Sequence, residues 1–227
     1  MARIITFGCS FTYGQGLPDC DPAYTFRNTL LTNTANPSKF GWATLLGEKL
    51  GLEVVNLGEP GISNTEILYN LLEFRYQPND IVIVMWSNYP RDIMFTKGFV
   101  SKNTNTRFSN LKRGFFNKRL AIWAKGKDNK QWIKYMSEHD YCVKTQMHMH
   151  HADLFFRSLD VSYIHYPCSP HELEEVSLEF LPVHNACYDG LFWVDITPDG
   201  HHGIESNKLV ADNIINFLKE RKIYDTI

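Results

Sequence analysis

The chain has 227 residues and a formal net charge of −2, with 44% hydrophobic and 14% aromatic residues. That length buries a sizeable core and suits one domain carrying an insertion better than two domains. The near-neutral balance excludes a global field for nucleic acid, and no apolar run reaches the roughly 18 to 20 residues of a membrane helix.

Residues 4–7 read as a short apolar strand that runs directly into Gly8-Cys9-Ser10. Residues 14–40 are rich in Gly, Pro, Asn and Thr and read as a long loop. Across 41–50, Trp42, Leu45, Leu46 and Leu50 recur at helical spacing, and Gly51 stands at the stop position. A second strand is predicted over 52–57. Ser63 or Asn64 then caps a helix that runs to about residue 76, with Ile67, Leu68, Leu71, Leu72 and Phe74 as its apolar face. Pro78-Asn79-Asp80 turns the chain into 81–86, an unbroken apolar run suited to a strand covered on both faces.

Residues 91–130 interrupt this pattern. They carry eleven basic side chains against Asp92 and Asp128, a balance of 11 − 2 = +9, so the remainder sums to −11. The asymmetry marks a basic insertion. Its bland role is a solvated surface, and its functional role would be attraction of an anionic polymer such as a charged polysaccharide or nucleic acid. Phe108, Phe115, Phe116 and Trp123 lie among the charges, placed either to stack on sugars or bases or to form the insertion's own small core. A long helix over 131–159, a strand over 161–166, a final strand or extended segment over 191–196 and a terminal helix over 204–221 complete the chain. The β-α-β-α-β order predicts a parallel sheet sandwiched between helices.

Cys9, Cys20, Cys142, Cys168 and Cys187 are odd in number, widely spaced and lack any Cys-X-X-Cys pair. Neither a zinc site nor a disulfide framework follows, and reduced thiols are expected. The first strand is too short for a signal-peptide core, so a cytoplasmic location is expected. His148 and His151 are one helical turn apart but lack a third ligand, and Gly14-X-Gly16 lacks the third glycine of a dinucleotide turn. No metal is expected.

Chemistry gathers at the two ends of the chain. Ser10 lies where the first strand ends, and open α/β sheets bind ligands at that edge. Near the other end, Asp199-Gly200-His201-His202 supplies a carboxylate and two imidazoles. A serine nucleophile needs an adjacent base, and the base needs a group that fixes its tautomer. His202 is the preferred base over His201, because an i, i+3 offset from Asp199 projects both side chains the same way from a loop or first helical turn. Asp195 is a competing orienter seven residues from His202. Oxyanion donors are expected from Ser10 N–H, from Gly61 in the turn after the second strand, and from Asn88 just past the third. On its own, Ser10 would serve equally as a helix cap, and His202 as a surface histidine.

Taken in order, these segments resemble the blocks of the SGNH (GDSL-like) hydrolase family, with Ser10, Gly61, Asn88 and the Asp199-X-X-His202 pair at the block positions. The first block is Gly8-Cys9-Ser10 instead of the usual Gly-Asp-Ser, and Trp86-Ser87-Asn88-Tyr89 lacks the usual Gly before Asn and Asp after it. The resemblance implies a three-layer α/β/α sandwich with a parallel flavodoxin-like sheet and ester hydrolysis with no metal or organic cofactor. Its implied substrates are acetyl or other short-chain esters, on small molecules or carbohydrate. An acyltransferase with the same triad and a non-catalytic module holding an anionic polymer on the basic insertion are the alternatives. No oligomeric state is implied.

Overall fold

A computed structural model of the chain describes residues 2–20, 36–88, 93–95, 119–121, 138–168, 184–187 and 193–223. Its strands are β1 (Arg3–Gly8), β2 (Glu53–Gly58), β3 (Ile81–Trp86), β4 (Ile93–Phe95), β5 (Arg119–Ala121) and β6 (Ser162–Pro167). Four of them form one parallel sheet in the order β2-β1-β3-β6. Every residue of β3 is buried, as its uninterrupted apolar sequence requires. β2 is an edge strand, and most of its residues are half-buried. The chain leaves β1 toward one side to make β2 and crosses to the other side to make β3. Strand order therefore reverses at β1, and the loops after β1 and β3 diverge there to leave a crevice at their carboxyl ends.

The helices are α1 (Ser10–Tyr13), α2 (Trp42–Leu50), α3 (Asn64–Glu73), α4 (Glu138–Arg157) and α5 (Ile204–Glu220). α2 packs against α5, and α3 against α4. These pairs cover the sheet and complete the three-layer α/β/α architecture. Trp42 and Leu46 of α2, Ile67 and Leu71 of α3, Met149 and Phe156 of α4, and Val210, Ile214 and Leu218 of α5 all enter the common core.

Local chemistry sets the helix limits. α2 stops at Gly51, whose φ of 66° is the left-handed conformation that glycine adopts without a Cβ penalty. Ser63, not Asn64, is the cap of α3, and it forms a full capping box with Glu66. The helix ends at Glu73, three residues before the expected limit. Phe74 is already extended there, and the chain turns so that Tyr76 packs among Phe7, Phe74, Phe155 and Phe156. The apolar pattern carried past the helix because these rings serve the core from a loop.

At the amino end of the sheet Arg3 grips Asp80 in a two-pronged pair at 3.0 and 2.7 Å, opposite the edge that carries the chemistry. β4 and β5 pair antiparallel as a separate two-stranded unit. The rest of the basic insertion, with Phe108, Phe115, Phe116 and Trp123, lies outside the described residues, as do 131–137 and 191–192. All five cysteines are buried, with no disulfide among them. Among the described residues no helix is long and apolar enough to cross a membrane.

Candidate functional site

β1 gives way to a short helix that sequence periodicity did not reveal. Ser10 is the first residue of α1 and Cys9 its cap, without a side-chain capping bond. The helix closes after one turn at Gly14, with φ at 80°. It lies tightly over the strand ends: a methyl group on Gly8 would collide with Thr12 Oγ1 and Met85 O, and one on Gly58 with the backbone of Thr12 and Tyr13. Asn56 joins the two turns, donating from Nδ2 to Thr12 O (2.8 Å) and accepting from Gly58 N (2.9 Å). The result fixes Ser10 at the carboxyl end of a central strand. The residue is only 2% exposed, and its hydroxyl has no hydrogen-bond partner among the described residues.

The end of the chain meets this turn. Residues 195–203 form a small hairpin: Gly203 N donates to Asp195 O, Thr197 N donates to His201 O, and Ile196 bridges His202. It docks on the first turn through rings and polar bonds. The Phe11 ring lies 4.8 Å from that of His202 and 5.3 Å from that of His201, centroid to centroid. Trp193 stands edge-on to both His202 (4.2 Å) and Phe11 (5.7 Å), and it is half exposed. Gln15 Nε2 donates to Asp199 Oδ2 at 3.2 Å. Gly16 lies against the same carboxylate, where any side chain would collide with Asp199 and Thr197, and its φ of 84° also requires glycine.

Within the hairpin, Asp199 pairs with the other histidine. Its Oδ1 accepts from Thr197 Oγ1 at 2.6 Å and lies 3.1 Å from His201 Nδ1, an approach bent away from hydrogen-bond alignment. No contact joins Asp199 to His202 among the described interactions. The reason is turn geometry. An i, i+3 match needs a helical turn, whereas here Thr197 and His201 pair across a hairpin whose β-turn, closed by Gly200 N donating to Thr197 O, carries Asp199. His201 therefore shares the face of Thr197, where the turn also brings the Asp199 carboxylate, and His202 shares that of Ile196. The carboxylate whose charge acts on His202 is Asp195, the competing orienter. Asp195 is itself anchored at the start of α5, accepting from Ser206 N (2.7 Å), Ser206 Oγ (2.7 Å) and Glu205 N (3.1 Å).

These surroundings set the charges. Burial alone would raise the Asp199 carboxyl, but the Thr197 hydroxyl, His201 and Gln15 hold it below the ordinary range. Asp195 is held down in the same way against its own burial by the hydroxyl and backbone donors of the α5 start and by His202. His202 is pushed down to about 4, chiefly by burial and then by neighbouring His201, with Asp195 only partly opposing. Its Nε2 is buried without a partner among the described residues. Behind the site, His165 is fully buried and lowered to about 3 by desolvation. Its Nδ1 accepts from Trp86 Nε1 at 3.1 Å, while Asp153 Oδ1, 4.0 Å from Nε2, is already taken by Tyr163 Oη and His184 N.

Both histidines fold neutral, and both protonate near 6.5 once unfolded, so the unfolded state binds more protons below that value. Stability is therefore complete above about 6.5 and declines on acidification through the interval down to the folded values. The expected loss by pH 5 is about 2 kcal/mol per histidine. The two depressed aspartates act only at lower pH, below their unfolded value of 3.8. Urea unfolding between pH 8 and pH 5 checks this, and a flat profile there would contradict it.

The other two strand ends carry the remaining polar groups. Gly61 has φ at 75° and faces open space, so its backbone conformation, not crowding, requires glycine. Asn88 is half-buried two residues past β3. Ser87 between them is held by Asn64, a residue the sequence offered only as an alternative helix cap. Gln15, Gly16, Asn56 and Thr197 were also missed as parts of the site. Gly14-X-Gly16, which lacks the third glycine of a dinucleotide turn, is the signal that marks this part of the site.

No protein-family model matches the chain, and no curated protein matches it. Solved structures do. An acetyl xylan esterase (Est2A) from the rumen bacterium Butyrivibrio proteoclasticus is 11% identical, with a TM-score of 0.53 over 98% of this chain and 64% of its own. A carbohydrate esterase whose active site displays divergent catalytic and non-catalytic binding functions is also 11% identical, with a TM-score of 0.53 over 96% of this chain and 68% of its own. A protein assigned to the lipolytic G-D-S-L family of Desulfitobacterium hafniense is 14% identical over 95% of this chain and 99% of its own, with a TM-score of 0.47. The chain thus shares the three-layer fold of esterases.

Proposed function

We propose that the protein is a serine hydrolase of the SGNH type that cleaves acetyl or other short-chain esters. The observation that carries this reading is the meeting of the chain's two ends: a buried Ser10 hydroxyl, unpartnered among the described residues, opens a turn whose Phe11 and Gln15 contact the hairpin that brings Asp199 to His201. In this reading Ser10 Oγ attacks the acyl carbonyl and passes its proton to an imidazole. The base is assigned to His201, whose Nδ1 Asp199 approaches at 3.1 Å, so that its Nε2 would take the serine proton. Asp199 stays ionised and stabilises the imidazolium. Ser10 N–H, Gly61 N–H and the Asn88 carboxamide hold the tetrahedral oxyanion. The alcohol departs with the proton, and water, deprotonated by the same imidazole, releases the acid from Ser10.

A second reading assigns the base to His202, on the strength of a buried Nε2 that has no partner among the described residues and of its neutral state at neutral pH. Short acyl groups and carbohydrate esters are proposed because proteins of this fold include an acetyl xylan esterase and because the half-exposed Trp193 borders the serine turn.

Turnover of 4-nitrophenyl acetate, butyrate and octanoate by the purified protein tests the proposal. The expected result is saturable hydrolysis with kcat/KM falling by about tenfold or more from acetate to octanoate. Absence of turnover on all three, with salt-sensitive binding to heparin or nucleic acid, would favour a binding module instead.

A further inference from the structure

β3 ends at Trp86, and its neighbour β1 ends one register position earlier, with Gly8 facing Met85. On the other side, Cys168 N still reaches Trp86 O. Beyond this point Ser87 is buried, and its peptide groups have no strand on the β1 side to pair with. Buried backbone donors and acceptors need partners. The side chain of Asn64 supplies them: Ser87 N donates to Asn64 Oδ1 at 2.7 Å, and Asn64 Nδ2 donates to Ser87 O at 2.9 Å. One carboxamide thus stands in for a strand and carries the ladder one residue further.

The clamp is itself held rigid. Asn64 is 2% exposed and opens α3, directly after the Ser63–Glu66 capping box. Its Nδ2 also donates to Thr145 Oγ1 of α4 at 3.1 Å, so helices of one layer fix a loop of the sheet. The residue that leaves this clamp is Asn88.

From this arrangement we infer that Asn64 is a positioning residue for the oxyanion site: by gripping both peptide groups of Ser87 it fixes the direction in which Asn88 leaves β3. This rests on the reading of Asn88 as an oxyanion donor. An asparagine that only satisfied buried backbone would affect stability alone. One that aims Asn88 affects kcat, and only while Asn88 is present.

The test is a double-mutant cycle on 4-nitrophenyl acetate hydrolysis with Asn64→Ala, Asn88→Ala and the pair, each checked for folding by circular dichroism and urea unfolding. Asn64→Ala is expected to lower kcat about 10- to 100-fold with KM within about twofold, and the pair to be no slower than Asn88→Ala alone. A folded Asn64→Ala enzyme with normal kcat, or losses that multiply in the pair, would overturn the inference while leaving the esterase reading intact. Normal kcat in Asn88→Ala would instead overturn the oxyanion reading, and this inference with it. If Asn64→Ala does not fold, Thr145→Val carries the test by removing only the Thr145 end of the clamp. A several-fold loss of kcat that vanishes in the Asn88→Ala background supports the inference, and unchanged kcat overturns it.

Discussion

Ser10→Ala is expected to reduce kcat/KM for 4-nitrophenyl acetate by at least about 10³-fold, to the level that binding and the oxyanion donors sustain without a nucleophile. The same substitution should leave stability unchanged or raise it by up to about 1 kcal/mol. This pairing of effects discriminates between roles. A serine that capped a helix would accept a backbone N–H, and its loss would cost stability. Ser10 instead follows the cap, and its buried hydroxyl accepts and donates nothing among the described residues. Removing it orphans no partner and deletes a desolvated polar atom. Parallel measurement of hydrolysis and of the urea midpoint reads both effects, and equal activity in the two proteins would refute the nucleophile.

The second large effect separates the two adjacent histidines. His201→Asn is expected to lower kcat by at least about 10³-fold, because it removes the imidazole that Asp199 approaches at 3.1 Å. His202→Asn is expected to act mainly on structure, since its ring fills the space between Phe11 and Trp193. Its kcat should stay within about tenfold of the parent, and stability should respond less to acidification between pH 6.5 and pH 5. The acid limb of kcat/KM gives an independent reading. A base at His202, held at about 4, would keep the enzyme active down to that pH. Reversed variant effects, together with a limb near pH 4, would move the base to His202 and make Asp195 its carboxylate.

The main architecture was readable because its signals are strong and local. An unbroken apolar run becomes β3, glycine ends α2, and the alternation of strands and helices dictates a parallel sheet. The site was readable only as a set of residue types at strand ends. Which partners meet depended on the local conformation of residues 195–203. A hairpin with Asp199 in its turn puts the carboxylate beside His201, where a helical turn would have favoured His202. Proline and glycine at 198 and 200 signalled a turn, and Val194 and Ile196 alternate with polar residues before it, but His201-His202-Gly203 after it carries no matching apolar pattern. α1 was invisible because four residues make barely one helical turn, too few for a pattern to repeat. The supporting residues escaped for a different reason. Asn64, Asn56 and Gln15 act across long sequence separations, on backbone groups or a carboxylate supplied by other elements. Nothing in their own neighbourhoods marks those partners.

A phosphonofluoridate probe offers the most direct measurement, because it reacts only with a serine made nucleophilic by its surroundings. After incubation with the native protein, mass spectrometry of the digest should find one equivalent of adduct on the peptide bearing Ser10, and none in the Ser10→Ala or His201→Asn proteins. An unmodified Ser10, or adducts spread over other hydroxyls, would mean that the joined ends of this chain build no hydrolytic centre.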